Sequence, residues 1–311
     1  MRVVVLMSTY QGEAFVAEQI ESILRQLPPE GRLMVRDDGS RDDTAAIVRA
    51  FDDPRISLAC GPNLGFARSF FSLMAAAPVD AEMIMFSDQD DIWLPHKIAR
   101  AWDHLAHSGG IPTLYCARQQ LVDSKLAPIA LSTAWPRPAS FENALTENIV
   151  TGCTAAFNRE ALVLALKLSA PEAIYFHDWW LYLVVSAFGK VVIDRDATIL
   201  YRQHGNNAIG RGAGLALYIE ILRFIRRQSW AHIMYRQIGE FTTVFSEQLS
   251  SAQRQLVARY FDPHRPSSLL RLLFVPKRFR QTLLGDVLLR LLLVVEVVSG
   301  RGLLPGQAPR A

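Results

Sequence analysis

A chain of 311 residues, half hydrophobic and a fifth charged, carries enough apolar surface for a large core, which excludes a disordered polypeptide. Its length suits one large domain with an appendage. The net charge of +3 divides unevenly: residues 1–210 carry 18 basic and 24 acidic side chains, net −6, and residues 211–311 carry 15 and 6, net +9, so the two parts suit different partners.

The apolar run after Met1-Arg2 is five residues long, too short for a signal peptide, and reads as a first strand, Arg2–Met7. The spacing then predicts a helix over Gly12–Leu27, with Phe15, Ile20, Ile23, Leu24 and Leu27 on its apolar side, and a strand at Leu33–Val35. A helix over Asp42–Phe51 opens on acids suited to its positive end. Next come a strand at Ile56–Ala59, a helix over Leu64–Ala77, a strand at Glu82–Phe86 and a helix over Leu94–His107. Alternation at this spacing means βαβ units and a mostly parallel sheet, and ligands of such sheets sit beyond the strands' carboxyl ends.

Beyond Pro112 the pattern loosens. A strand is expected at Thr113–Ala117, a Pro-rich covering loop at Leu126–Ala144, and a strand at Thr154–Asn158 running into a helix through Leu168. An apolar helix over Ile174–Phe188 and strands at Lys190–Asp194 and Thr198–Arg202 follow. From Gly214 the texture is helical, basic and rich in Leu, Ile and Phe. Gly285–Val298 is apolar but interrupted by Asp286, Arg290 and Glu296. It falls short of the roughly 20 apolar residues of a membrane span and suits helix packing or an interfacial helix.

The polar residues just after strands one, two and four form one acidic set: Ser8-Thr9-Tyr10, Asp37-Asp38-Gly39-Ser40, and Ser87-Asp88-Gln89-Asp90-Asp91. Carboxylates two residues apart at a strand end can both face a divalent cation that keeps coordination positions for pyrophosphate oxygens. A carboxylate in the second loop can accept the ring N–H of a pyrimidine, with Gly39 allowing close approach or positive φ. Asp42 and Asp43 are explained as an N-cap region, and for Asp38 the base-contacting and turn-building readings weigh equally. Trp93 is either a wall of the sugar pocket or core. His104 and His107 read as a solvated helix end.

Together with Asn63-Leu64-Gly65-Phe66, Thr151-Gly152-Cys153-Thr154, His177-Asp178-Trp179-Trp180 and Tyr201-Arg202-Gln203-His204-Gly205-Asn206-Asn207, these motifs resemble family-two glycosyltransferases, in the rhamnosyltransferase-like branch. The resemblance covers about residues 1–210. It implies an α/β, GT-A fold (Rossmann-like, a mostly parallel mixed sheet flanked by helices) and inverting, metal-dependent transfer from a nucleoside-diphosphate sugar, with Mg²⁺ or Mn²⁺ as cofactor. By position it implies that Ser8 and Tyr10 flank the nucleobase, that Asp37 and Asp38 bond it, and that Asp88 lies near the ribose or sugar. It further implies that Asp90 binds the metal with Asp91 nearby, that His204 meets the diphosphate or metal, and that Asp178 is the catalytic base. The family often has an acidic pair at the base position, where His177 precedes Asp178 here. The implied donor is dTDP-rhamnose and the implied acceptor a glycan or lipid-linked sugar of cell-surface polysaccharide.

A non-catalytic nucleotide-sugar-binding protein would keep the first two acidic loops but have no use for Asp178. A dinucleotide oxidoreductase lacks its G-x-G-x-x-G after strand one, and a nucleotidyltransferase lacks a Gly-rich basic loop there. Residues 211–311 read as a separate helical appendage. In it Arg223, Arg226, Arg227, Arg271, Lys277, Arg278 and Arg280, interleaved with apolar residues, suit an anionic membrane surface; no nucleic-acid motif accompanies them. Cys60, Cys116 and Cys153, odd in number and without a C-x-x-C pair, exclude a disulfide framework and suit a reducing compartment. The expected location is cytoplasmic, peripheral on the inner face of the plasma membrane if the appendage binds lipid. Cys153 has no evident activating partner and is not expected to be a nucleophile.

Overall fold

A computed structural model describes residues 1–204, 230–262 and 265–298. The expectations for Arg223, Arg226 and Arg227, and for Gly205-Asn206-Asn207, lie outside those residues. In chain order the first part runs β1 (Val3–Thr9), α1 (Val16–Leu24), β2 (Arg32–Asp37), α2 (Thr44–Arg49), β3 (Ile56–Cys60), α3 (Phe66–Ala76), β4 (Met83–Ser87), β5 (Ile92–Trp93) and α4 (Lys97–Leu105). It continues with β6 (Thr113–Val122), β7 (Pro128–Leu131), α5 (Phe141–Ala144), β8 (Ala156–Asn158), α6 (Arg159–Ala165), α7 (His177–Phe188) and β9 (Lys190–Arg202).

The strands form one mixed sheet in the order β3-β2-β1-β4-β8-β6-β9-β5, with β7 hydrogen-bonded to β6. β1, β2, β3 and β4 run parallel, and β8 enters antiparallel between β4 and β6. Val3 through Met7 and Met83 through Phe86 are buried, because the central strands are covered on both faces, as their unbroken apolar runs require. On one face Val16, Ile20 and Ile23 of α1 and Ile98, Ala101 and Leu105 of α4 join Val3, Val5, Met7, Met83 and Met85. On the other, Phe70 of α3 meets Phe86 (ring centroids 5.1 Å), which meets Phe157 of β8 (4.9 Å).

Three expectations need correction, and one strand was not expected at all. The two final strands are a single strand, β9, which pairs in parallel with β6 on both sides of a register shift at Cys116/Arg118. The polar residues that suggested a break are edge groups: Arg100 donates to Asp194 and Asp196, and the Tyr115 hydroxyl donates to Asp194 (2.7 Å). The Pro-rich loop contains β7, whose Pro128 opens an edge strand, where a missing N–H is tolerated, and α5, capped by Ser140 accepting from Asn143 N–H. The apolar helix begins at His177 rather than Ile174, since Pro171–Ala173 forms a separate 3-10 turn. β5 is two residues long, below what periodicity can reveal.

Contacts divide the chain into two units. The first holds, of the described residues, 1–135, 148–167 and 176–204; the second holds 136–147, 168–175 and those from 230 onward. The second unit comprises α5 with α8 (Trp230–Phe245), α9 (Ser251–Tyr260), α10 (Pro266–Phe274) and α11 (Leu283–Val298). Two segments ahead of residue 210 therefore pack with the C-terminal helices. Asn143 Nδ2–H donates to Phe279 O (3.0 Å), Arg137 donates to the Arg278 and Arg280 carbonyls, and Glu240 accepts from Ser169 and Ala170 N–H.

Gly189 ends α7 where Lys190 N–H donates to Pro112 O (2.8 Å). A Cβ there would overlap that same backbone carbonyl, which cannot swing away as a side chain can. Gly189→Ala is expected to cost roughly 1–3 kcal/mol, the range for overpacking, read as a lowered urea midpoint at unchanged slope.

Candidate functional site

The parallel registers Thr9↔Asp37 and Met7↔Ser87 bring the carboxyl ends of β1, β2 and β4 to one edge. The loops there are tied together by polar groups. Gln11, at φ 52°, donates its N–H to Ser40 Oγ (2.9 Å) and accepts Arg41 N–H (2.8 Å), and Gly12 N–H donates to Thr44 Oγ1 (2.8 Å). The Gln89 amide clamps the Tyr10 backbone at both ends, accepting its N–H (2.8 Å) and donating to its carbonyl (2.9 Å). A Cβ on Gly12 would overlap that Gln89 amide. Gln89 is thus the residue that joins the first loop to the acidic loop, a role invisible in sequence because it is the unspecified middle of an Asp-x-Asp pattern. Tyr10 is 48% exposed at the crevice edge, and Ser8 donates its hydroxyl to buried Ser69 (2.7 Å).

Asp37 and Asp38 are buried and engaged within the protein. Asp37 accepts from Thr9 Oγ1 (3.1 Å), Ser40 N–H (2.9 Å) and Ser40 Oγ (2.6 Å). Asp38 pairs with Arg36 and accepts Leu64 N–H and Gly65 N–H, each at 2.9 Å. These carboxylates hold the first and third loops in place, which gives the turn-building reading of this pair its structural content beside the base-contacting role expected for it. Gly39 has φ 83°, and its Cα faces Gly61 O and Asn63 N–H closely, which only glycine permits at low cost.

The acidic loop occupies the floor. Asp88 and Asp90 are half-buried; Asp91 is fully buried, with Oδ1 accepting Arg202 N–H (3.2 Å) and Oδ2 without a hydrogen-bond partner among the described residues. Burial, then the charges of Asp90 and Asp178, push the Asp88 carboxyl up to about 7. Burial, then Asp90 and Asp88, hold that of Asp91 well above the carboxylate range. Two cations answer them, neither singled out by the sequence. Lys97 is fully buried, donates to Cys153 O (2.9 Å), and is lowered to about 8 by burial. Arg202 donates to Asp90 O (2.9 Å) and to Glu18 (2.6 Å). Each follows or ends an apolar stretch, where a cation gives no periodic signal. The Trp93 side chain lies in the core beneath Lys97, whose Nζ is 4.9 Å from its ring, and the Trp93 backbone N–H donates to Ser22 Oγ (3.0 Å). The pocket-wall reading of Trp93 is corrected to core.

His204, just past β9, donates Nε2–H to Asp90 Oδ2 (2.8 Å) with its ring stacked on Phe15 (4.7 Å). Asp178 stands at the start of α7, half-buried, accepting Gly152 N–H (3.0 Å) and Trp179 N–H (2.7 Å). Burial raises it to about 6, against the hydrogen bonds of Trp179, Gly152 and Asn148. Its neighbour His177 is boxed by aromatics, stacked on Phe70 (4.0 Å) and edge-on to Phe86 (4.7 Å), with both ring nitrogens lacking hydrogen-bond partners among the described residues. Burial lowers it to about 3. Gly152 sits close against this ring: a Cβ there would stand 3.1 Å from His177 Nε2, a tight contact.

The residues fit a divalent cation. Two groups of candidate donors stand here. The inner one, Asp88, Asp91 and Cys153, has its ligand atoms within 4.8 Å of one another, but its thiol is pushed well above the ordinary range by burial and a protonated thiol is a poor ligand for a hard cation. The outer one, Asp90 and His204, joins a carboxylate and an imidazole already in contact (2.8 Å), with Asp88 two residues before Asp90 in the chain. Asp91, expected among the metal ligands, belongs to the inner, buried set. The three cysteines are unpaired.

The fold and site define a GT-A architecture arranged around an acidic crevice. Residues 4–163 match the model of glycosyl transferase family 2, and the chain belongs to that family. It is 29% identical over 245 residues to the dTDP-rhamnosyl transferase RfbG of Shigella flexneri, covering 71% of this chain and 80% of that protein. Among solved structures it resembles S. aureus TarS 1–349 in complex with UDP-GlcNAc, with TM-score 0.55 and 15% identity over 96% of this chain and 92% of that one. It also resembles the mannosyltransferase PcManGT from Pyrobaculum calidifontis in complex with GDP-Man and Mn²⁺, with TM-score 0.52 and 17% identity over 96% and 88%. At these identities the structural likeness speaks for the fold.

Asp38→Ala would leave Arg36 buried without its counter-charge. A loss of about 3–5 kcal/mol of stability is expected, measured by urea unfolding; wild-type stability with only nucleotide binding weakened would instead make Asp38 a base contact.

Proposed function

We propose that residues 1–210, with 211–311 as an appendage, transfer a sugar with inversion from a nucleoside-diphosphate donor to an acceptor hydroxyl, with Asp178 as the base. The observation that carries this reading is the Asp178 carboxylate, half-buried and raised to about 6 by burial, whose charge is felt by Asp88 across the same crevice. A base poised near the working pH is an effective proton acceptor. Asp178 takes the hydroxyl proton as the acceptor oxygen bonds to the anomeric carbon and the bond from that carbon to the diphosphate breaks. Gly152 N–H and the Asn148 side chain hold the carboxylate in place. His177 is a poor alternative, being enclosed by Phe70 and Phe86 and held neutral far below neutral pH; it buttresses Gly152 instead.

Asp90 and His204, with Asp88 adjacent, are the residues that would hold Mg²⁺ or Mn²⁺, as the Mn²⁺ complex of PcManGT encourages. Bound there, the cation supplies positive charge against that building on the leaving diphosphate. The donor proposed is dTDP-rhamnose, by likeness to RfbG, with Ser8 and exposed Tyr10 at the nucleotide end and Asp88 toward the sugar. The acceptor proposed is a glycan or lipid-linked sugar of cell-surface polysaccharide.

Asp178→Asn should lower transfer about 10²–10⁴-fold while donor binding, followed by calorimetry, stays near wild type; near-normal turnover would sink the assignment. The base form is lost as pH falls through its raised value, so kcat/KM should decline tenfold per unit below about pH 6 and level off above it. Chelation should abolish transfer, with Mn²⁺ restoring the wild type but not Asp90→Asn. Cys153→Ala should retain the Mn²⁺ response, which would be lost if the inner donor set held the metal. In a thermal-shift panel of nucleotide sugars with Mn²⁺, dTDP-rhamnose should give the largest rise, and a larger rise from a UDP- or GDP-sugar would replace it as donor.

A further inference from the structure

α11 is built inside out. Leu284, Val287, Leu291, Val294, Val295 and Val298 are all exposed, by 43–81%. The helix's charged side chains point the other way: Asp286 and Glu296 are buried, and Arg290 donates to the carbonyls of Leu273, Val275 and Lys277 and to Asp286. Asp286 in turn accepts Phe279 N–H (2.8 Å). Asp286 and Arg290, two of the charges that break the apolar run in the sequence, thus fasten the connector ahead of the helix, and Leu289 and Leu293 fill the unit behind it. What remains outside is a stripe without a charge along a helix of 16 residues, about 24 Å long. α10 adds exposed Leu270 and Phe274.

The surface of this unit is predominantly basic. Of its acids among the described residues, Glu240, Asp286 and Glu296 are buried, Glu142, Glu147 and Asp262 pair with Lys277, Arg280 and Arg265, and Glu172 and Glu247 are exposed. Arg254, Arg259 and Arg271 are exposed. Burial of the acids therefore makes the outer surface more basic than composition alone implies. A coiled-coil partner would call for charged or polar residues flanking the seam to set register, and this stripe has Leu288 and Val295 at its edge. No helix among the described residues is long and apolar enough to cross a membrane.

We infer that α11 lies in the plane of an anionic lipid surface, its apolar stripe in the acyl boundary and the exposed arginines of α9 and α10 supplying attraction to the headgroups. This goes beyond the proposed transfer reaction and does not depend on it. The sequence-level expectation rested on basic residues spread through 211–311; here the element is one helix face, and Lys277 and Arg280, paired internally, drop out of it.

The test is sedimentation of the full chain with vesicles of phosphatidylcholine alone or with a quarter phosphatidylglycerol, wild type beside the double variant Leu291→Glu/Val295→Glu. Both sites are exposed, so the fold should survive, checked by circular dichroism and by donor binding. Wild type should partition onto the anionic vesicles, several-fold less onto neutral ones, and the double variant at least tenfold less than wild type. Equal partition of variant and wild type, or no vesicle binding by wild type, would overturn the inference. So would a wild-type dimer in sedimentation velocity that the variant dissociates without either binding vesicles, which would assign the stripe to a second copy.

Discussion

Like charges gathered in a half-buried crevice repel, and the first unit is organised around containing that repulsion. Asp88, Asp90, Asp91 and Asp178 stand at one edge of the sheet, and the raised values of Asp88 and Asp91 record the cost of holding them there. Lys97 from beneath and Arg202 from the end of β9 supply part of the compensation. The remaining negative charge is what the proposed cation would answer, an electrostatic preorganisation of the crevice for positive charge.

That constraint explains features that look unrelated in the chain. β5 is two residues long because its task is to return the acidic loop to β9, where Leu94 N–H donates to Thr198 O (2.9 Å). Lys97 needs that return, since its ammonium reaches Cys153 O and Thr198 Oγ1 only from the start of α4. Gly12 and Gln89 keep the first loop against the acidic one, and Gly152 leaves space between His177 and Asp178. The second unit has its own logic, in which acids turned inward leave a basic, apolar exterior.

The parallel core was legible because strands buried on both faces must read as continuous apolar runs, and Val3–Met7 and Met83–Phe86 do so. Asp88, Asp90 and Asp178 could be picked out as candidates because each sits at a strand or helix end in a recognisable string, and the structure places them at the carboxyl edge of the sheet or the start of α7. Trp93 was ambiguous: an indole after an acidic loop suits a pocket wall or a core equally, and only the packing of α1 and α4 decides. Asp37 and Asp38 were ambiguous for a related reason. A strand-end carboxylate has the same local sequence whether it meets a ligand or, as Asp38 does, the N–H groups of Leu64 and Gly65 in a distant loop.

By itself the sequence determined the order of elements, the edge at which chemistry gathers and the family resemblance, since periodicity, turn residues and short motifs are local properties. Tertiary structure decided which acids face solvent and which are enclosed, that His177 is packed while Asp178 is reachable, and that α11 turns its charges inward. Burial and pairing depend on residues far apart in the chain. A carboxylate's role follows from its surroundings, and those exist only once the chain has folded.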